Sequence, residues 1–133
     1  MFLAKLSLTK RNAFLDAALR IATADGQYSK GELDFITSAC DEMGIKYRKE
    51  IKLSYDAAVI ELNAGSTPEV KKQLLFELVG IAYADNVIQP REEQMIKFAM
   101  DVFQISKVDY DKIVALVKDL AKVRRAINDY LKK

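Results

Sequence analysis

The sequence has no histidine, no tryptophan and a single cysteine. Without histidine, no Ser-His-Asp triad, Cys-His dyad, HExxH zinc site or imidazole base can form. One cysteine makes neither an intrachain disulfide nor a thiolate-rich metal centre. Only 2 prolines and 5 glycines interrupt the chain, and strand-like alternation is nearly missing. No apolar run approaches the roughly 18 uncharged residues of a membrane span. The opening MFLAKLSL is too short an apolar stretch for an export signal and offers no small-residue cleavage site. An unpaired thiol without such a signal points to the cytoplasm. What is left is oxygen chemistry: carboxylates, hydroxyls, amides and main-chain carbonyls, which suit hard cations if a metal binds.

What is present is ordinary for a single globular domain: 133 residues, half of them apolar and 30% charged. The net charge of +2 names no partner, but the charges are unevenly spread. Residues 25–45 carry five acids against one base, and residues 54–106 carry eight against four. Residues 46–53 and 107–133 are basic, so an acidic middle lies between basic segments that could orient a partner.

Apolar residues recur at helical spacing almost throughout. Thr9 is the expected cap of a helix over about Lys10–Ala24, broken by Asp25-Gly26. Ser29-Lys30-Gly31-Glu32 is a capping box, followed by the stripe Leu33, Ile36, Cys40 and Met43, and Gly44 closes that helix. Residues 46–64 read as one helix or two short ones, ending at Gly65. Thr67-Pro68 is a strong restart, and the following LLFELVGIAYA is apolar on nearly every side, as a central buried helix must be. Asp85-Asn86 ends it, and Pro90 and Glu92 open a helix to about Phe103. Ser106 and Asp109 begin the last and longest helix, with Ile113, Leu116, Leu120, Val123, Ile127 and Tyr130 expected to face inward. The fold is predicted to be all-α, a single-domain bundle of about six or seven helices.

The most informative feature is an ungapped internal repeat with an offset of 60 residues. Residues 17–45 read AALRIATADGQYSKGELDFITSACDEMGI, and residues 77–105 read ELVGIAYADNVIQPREEQMIKFAMDVFQI. The superposition pairs Ile21 with Ile81, Ala24 with Ala84, Asp25 with Asp85, Glu32 with Glu92, Ile36 with Ile96 and Ile45 with Ile105. Gly26 stands opposite Asn86, and both residue types tolerate a left-handed turn. Two such helix-turn-helix units can pack face to face about a pseudo-twofold axis.

The doubled A-D-[G/N]-x-[Y/I]-x-x-x-E pattern resembles the tellurite-resistance TerB-like family, which includes the N-terminal domain of DjlA-type co-chaperones. The resemblance extends over roughly residues 9–131 and implies one all-helical TerB-like domain over residues 1–133. It further implies a bacterial stress-response role, and complexes at the membrane that are linked to metal. A complete DjlA-type co-chaperone is excluded, because a J domain needs an HPD motif and the chain has no histidine.

Asp25-Gly26-Gln27-Tyr28-Ser29-Lys30-Gly31-Glu32 also matches the second half of an EF-hand loop. The first half fails, since the leading ligand positions fall on Ile21 and Thr23, and on Ile81 and Tyr83 in the second copy. Asp25, Glu32, Asp85 and Glu92 are therefore candidate ligands of a weak Ca²⁺ or Mg²⁺ site, short of a full EF-hand. The same letters have a structural reading: the aspartates accept turn N–H groups, the glutamates cap helices, and Tyr28 and Ile88 anchor the turns.

Other features are plainer. Cys40 sits on an apolar helix face and reads as a buried hydrophobe. Tyr47 with Lys46, Arg48, Lys49 and Lys52 is the one aromatic-basic cluster, and it reads as a solvated surface, so no nucleic-acid partner is expected. The basic last helix could touch anionic lipid, a peripheral membrane association, though an exposed outer face explains it as well. Gly80 lies mid-helix where close packing would need it, and Met1, Phe2, Leu3 and Leu6 are expected to dock on the core. The combined reading is a binding or scaffold module with a protein partner and no catalytic residues. A metal-assisted, carboxylate-based hydrolase and a metal-free interaction domain are the alternatives.

Overall fold

The computed structural model describes residues 1–24, 26, 29–84 and 88–133, and it is all-helical among them. Six helices follow in order: α1 (Leu8–Ala22), α2 (Lys30–Met43), α3 (Tyr55–Asn63), α4 (Pro68–Ala82), α5 (Pro90–Val102) and α6 (Lys107–Leu131).

Five of the six helices start where a serine or threonine supplies an acceptor for the unpaired first-turn N–H groups, and α5 starts at Pro90 instead. Ser54, Thr67 and Ser106 accept from the third residue on, at 3.1–3.2 Å. The first cap is Ser7 rather than Thr9: its hydroxyl accepts from the Lys10 N–H, and α1 begins two residues earlier than expected.

The helix expected within residues 46–64 forms only over α3. Residues 45–54 run as an irregular strap instead, for a visible reason. The buried Asp16 carboxylate on α1 accepts the Lys52 and Leu53 N–H groups at 3.1 and 3.2 Å, and the Arg48 guanidinium at 2.7 Å. Those main-chain donors therefore serve a side chain and not an i−4 carbonyl. Asp16 is 1% exposed, and these three donors replace the water that burial takes from its carboxylate.

The core is continuous across all six helices. Helix α4 is central as expected, packing on α1, α2, α3, α5 and α6. Helix α1 is equally buried, with Phe14, Leu15, Leu19 and Ile21 at 1% exposure or less. In each half of the molecule the third helix lies on the first: α3 on α1, and α6 on α4. The N-terminal segment docks through Leu3 and Leu6, which are buried, and Phe2 meets Phe76 edge-on at 5.7 Å, whereas the Met1 side chain, also expected on the core, is exposed.

The expected inward stripe of α6 needs correction. Tyr110, Ile113 and Val117 are buried, but Leu116, Val123, Ile127 and Tyr130 are 52–75% exposed, and Leu120 is half-buried. Periodicity shows which residues share a face. Whether the fold supplies anything to cover that face is a separate matter, and α6 runs on past the helix it packs against.

Candidate functional site

Two pairs of helix ends close with similar local hydrogen bonds. Helices α1 and α4 both end in a residue near φ −102°, Thr23 and Tyr83, whose N–H bonds the carbonyl four residues back at 3.0 Å. The Ala24 and Ala84 N–H groups bond Ile21 and Ile81 at 3.2 and 3.1 Å. Helices α2 and α5 end alike too: Ile45 N–H bonds Cys40 and Ile105 N–H bonds Met100, both at 3.0 Å. That closure needs a left-handed residue, supplied by Gly44 at φ 68° and by Gln104 at φ 57°.

Of the four candidate cation ligands, Asp25 and Asp85 lie outside the described residues, as does Tyr28. Glu32 and Glu92 are both buried, at 5% and 4% exposure. The Glu32 Oε1 accepts the Ser29 N–H at 2.8 Å, and the Glu92 Oε1 accepts the Gln89 N–H at 3.0 Å. One oxygen of each is thus engaged in helix capping, the role the capping-box pattern assigns. Among the described residues, no three His, Cys, Asp or Glu side chains converge to hold a metal. The Arg91 guanidinium at the start of α5 donates to the Ala24 carbonyl, just past the end of α1, at 2.9 Å. Ile88 is half-buried against the core.

A second feature, unmarked by any motif, is a groove of about 500 Å³. Phe76 and Gly80 of α4, with Tyr83 just past its end, form the floor. Helix α2 supplies one wall through Asp34, Phe35, Ser38 and Glu42, and α6 the other through Val117, Ala121, Arg124 and Asn128. Gly80 lets the Phe35 ring lie close, because a Cβ at that position would be 3.0 Å from the ring edge. The Met1 ammonium closes one end, bonded to Glu42 at 2.8 Å and Glu77 at 2.9 Å. Partial burial opposes the charged ammonium, yet Glu42 and Glu77 outweigh it and hold its pKa above the usual α-amino value. Burial acts on Glu42 in the opposite sense; the ammonium and the Leu3 N–H prevail and hold its carboxyl below the usual range. At the other end the Lys118 ammonium lies 5.2 Å from the centre of the Tyr83 ring.

The groove escaped the sequence reading because its walls come from three helices distant in the chain. The one available signal was Gly80, a small residue inside an otherwise bulky helix.

The remaining candidates are structural. Cys40 is 1% exposed, and burial, with Asp41 nearby, pushes its thiol up, so it is not a ready nucleophile. In the Tyr47 cluster, Arg48 is tied to Asp16 and Tyr47 packs partly against the core. No helix among the described residues is long and apolar enough to cross a membrane.

Compared with family models, residues 44–115 match the tellurite resistance protein TerB, a span of just over half the chain. The chain belongs to the TerB family. The TerB match takes in α3, α4, α5 and the docked start of α6, with the whole second copy of the repeat at residues 77–105. The floor of the groove falls in this span, whereas the α2 wall precedes it and the α6 wall follows it. Searches of curated proteins and of solved structures returned no significant match.

Proposed function

We propose that this TerB-family chain is a non-enzymatic binding or scaffold module of a bacterial tellurite-resistance-type stress response, acting in the cytoplasm. Its contact surface for a protein partner is the groove between α2, α4 and α6. The observation that carries this reading is the groove itself: an apolar floor between an acidic and a basic wall, suited to an amphipathic segment. A hydrolase is less well supported. Glu32 and Glu92 are engaged in capping, and Glu77 and Glu42 are engaged by the Met1 ammonium.

The test compares three chains as bait in extracts of tellurite-stressed cells: wild type, Ser38→Arg/Ala121→Arg, and Asp25→Asn/Asp85→Asn. A partner lost with the groove variant and retained with the turn variant supports the reading. A partner held equally by the groove variant would place the function elsewhere.

A second reading is supported by the Arg91–Ala24 bond, which joins the start of α5 to the end of α1. In it, Asp25, Glu32, Asp85 and Glu92 hold Ca²⁺ or Mg²⁺ weakly, with water completing the shell. Millimolar Ca²⁺ or Mg²⁺ should then shift amide resonances at residues 25–32 and 85–92. Unmoved resonances would remove the cation.

A further inference from the structure

Helix α6 docks on the body with the residue spacing that α3 uses. Tyr55, Ala58 and Leu62 are buried on α3, and Tyr110, Ile113 and Val117 are buried on α6. There α3 stops, while α6 continues from Lys118 to Leu131, about 21 Å further, without burying another residue. Along this helix Ile113, Leu116, Leu120, Val123, Ile127 and Tyr130 recur at alternating steps of three and four. Such a period of 3.5 residues describes a two-stranded coiled-coil seam, and only a second helix matches it over this length. Four of the six side chains are more than half exposed.

We propose that α6 is a dimerisation helix, pairing in parallel along this seam with α6 of a second copy of the chain. The flanking charges select both partner and direction. In a parallel pair, the residue just before one seam position faces the residue five further on in the other strand. That places Asp119 of each copy against Arg124 of the other, making two reciprocal ion pairs. An antiparallel pair sets like flanking positions together, acid with acid and base with base. Lys118, Arg125 and Lys132 fall on the side remote from the seam, so the basic charge of the helix does not oppose pairing. The groove wall, centred on Val117, lies about 100° round the helix from Leu116, so the dimer leaves the groove floor open. Leu120 and Arg124 border both surfaces. The exposed seam is short and falls below the roughly 800 Å² per partner of a standard interface, so the dimer is weak and concentration-dependent.

Sedimentation equilibrium of the full chain, from micromolar to near-millimolar concentration, should show a monomer–dimer equilibrium. Val123→Glu/Ile127→Glu should weaken association by roughly tenfold or more, with helical circular dichroism unchanged because both side chains are exposed. Asp119→Arg and Arg124→Asp should each weaken self-association, their equimolar mixture should pair, and the double swap should restore the homodimer. Val123→Cys should form an interchain disulfide on mild oxidation, which the buried Cys40 of the wild type does not. A chain that stays monomeric throughout, or a dimer indifferent to Val123→Glu/Ile127→Glu, overturns the proposal. So does a monomer whose α6 instead binds anionic vesicles. Failure of the swapped pair or of the Val123→Cys crosslink overturns the parallel arrangement.

Discussion

Helices α3 and α6 do the same work in the two halves of the molecule, and they differ in almost everything else. Each follows a serine cap, and each lays a tyrosine and then apolar residues three and seven positions on against the first helix of its half. The 9-residue α3 is closed at its end by Lys10, whose ammonium donates to the carbonyls of Glu61 and Ala64 at 2.7 and 2.5 Å. The 25-residue α6 completes the same docking in its first half and then runs into solvent. The lesson is that covering the first helix takes little more than two turns. Length beyond that serves a surface rather than the core.

The sharpest way to break this comparison is to cut the strap that leads into α3, since α6 has no such approach. Arg48→Ala leaves the buried Asp16 carboxylate without its cation and should cost about 3–5 kcal/mol in urea unfolding. An unchanged midpoint would mean that the Lys52 and Leu53 N–H groups suffice.

Next in size are matched truncations of the two helices. Leu62→Ala, at a fully buried site, should cost about 2–5 kcal/mol, while Val123→Ala should stay within about 0.5 kcal/mol. Similar losses from both would show that the far half of α6 is packed after all.

On the groove floor, Gly80→Val overpacks against Phe35 and should destabilise by about 1–3 kcal/mol, with Phe35→Ala largely relieving the clash. A smaller effect separates the ends of α2 and α5. Replacing the left-handed Gln104 by glycine should stabilise by about 0.5–1 kcal/mol, whereas Gly44→Gln should destabilise by a similar amount. Equal and opposite shifts would show that the two closures are energetically equivalent; a null result for both would remove the left-handed strain.

The smallest expected effect is in pH. The Glu42 carboxyl is held below its ordinary pKa, so its contribution is present above that value and lost as pH falls through the depressed one. The Leu3 amide resonance should therefore move in acid, and Glu42→Gln should abolish that step.

Much of the fold was legible in the sequence because helix signals are local. The caps at Ser29, Thr67 and Ser106, the prolines at the starts of α4 and α5, and Gly44 at the end of α2 all act within a turn of their own residue. The capping roles of Glu32 and Glu92 were legible for the same reason. The strap at residues 45–54 was not, because its geometry is set by Asp16, some 36 positions away. Ser7 was missed in favour of Thr9 because a cap is chosen by where the incoming chain turns, and buried Leu3 and Leu6 decide that. The groove was invisible for want of any sequence neighbourhood shared by α2, α4 and α6.

By itself the sequence determined the helices, the central burial of α4 and membership of the TerB family, since each depends on periodicity, caps and motif letters read along the chain. Tertiary structure alone decided which apolar stripes are covered. Tyr110, Ile113 and Val117 lie over α4, while Val123 and Ile127 further along are more than half exposed, and the physical reason is length. A helix keeps its period for as long as its residues allow, but burial ends where the neighbouring helix does.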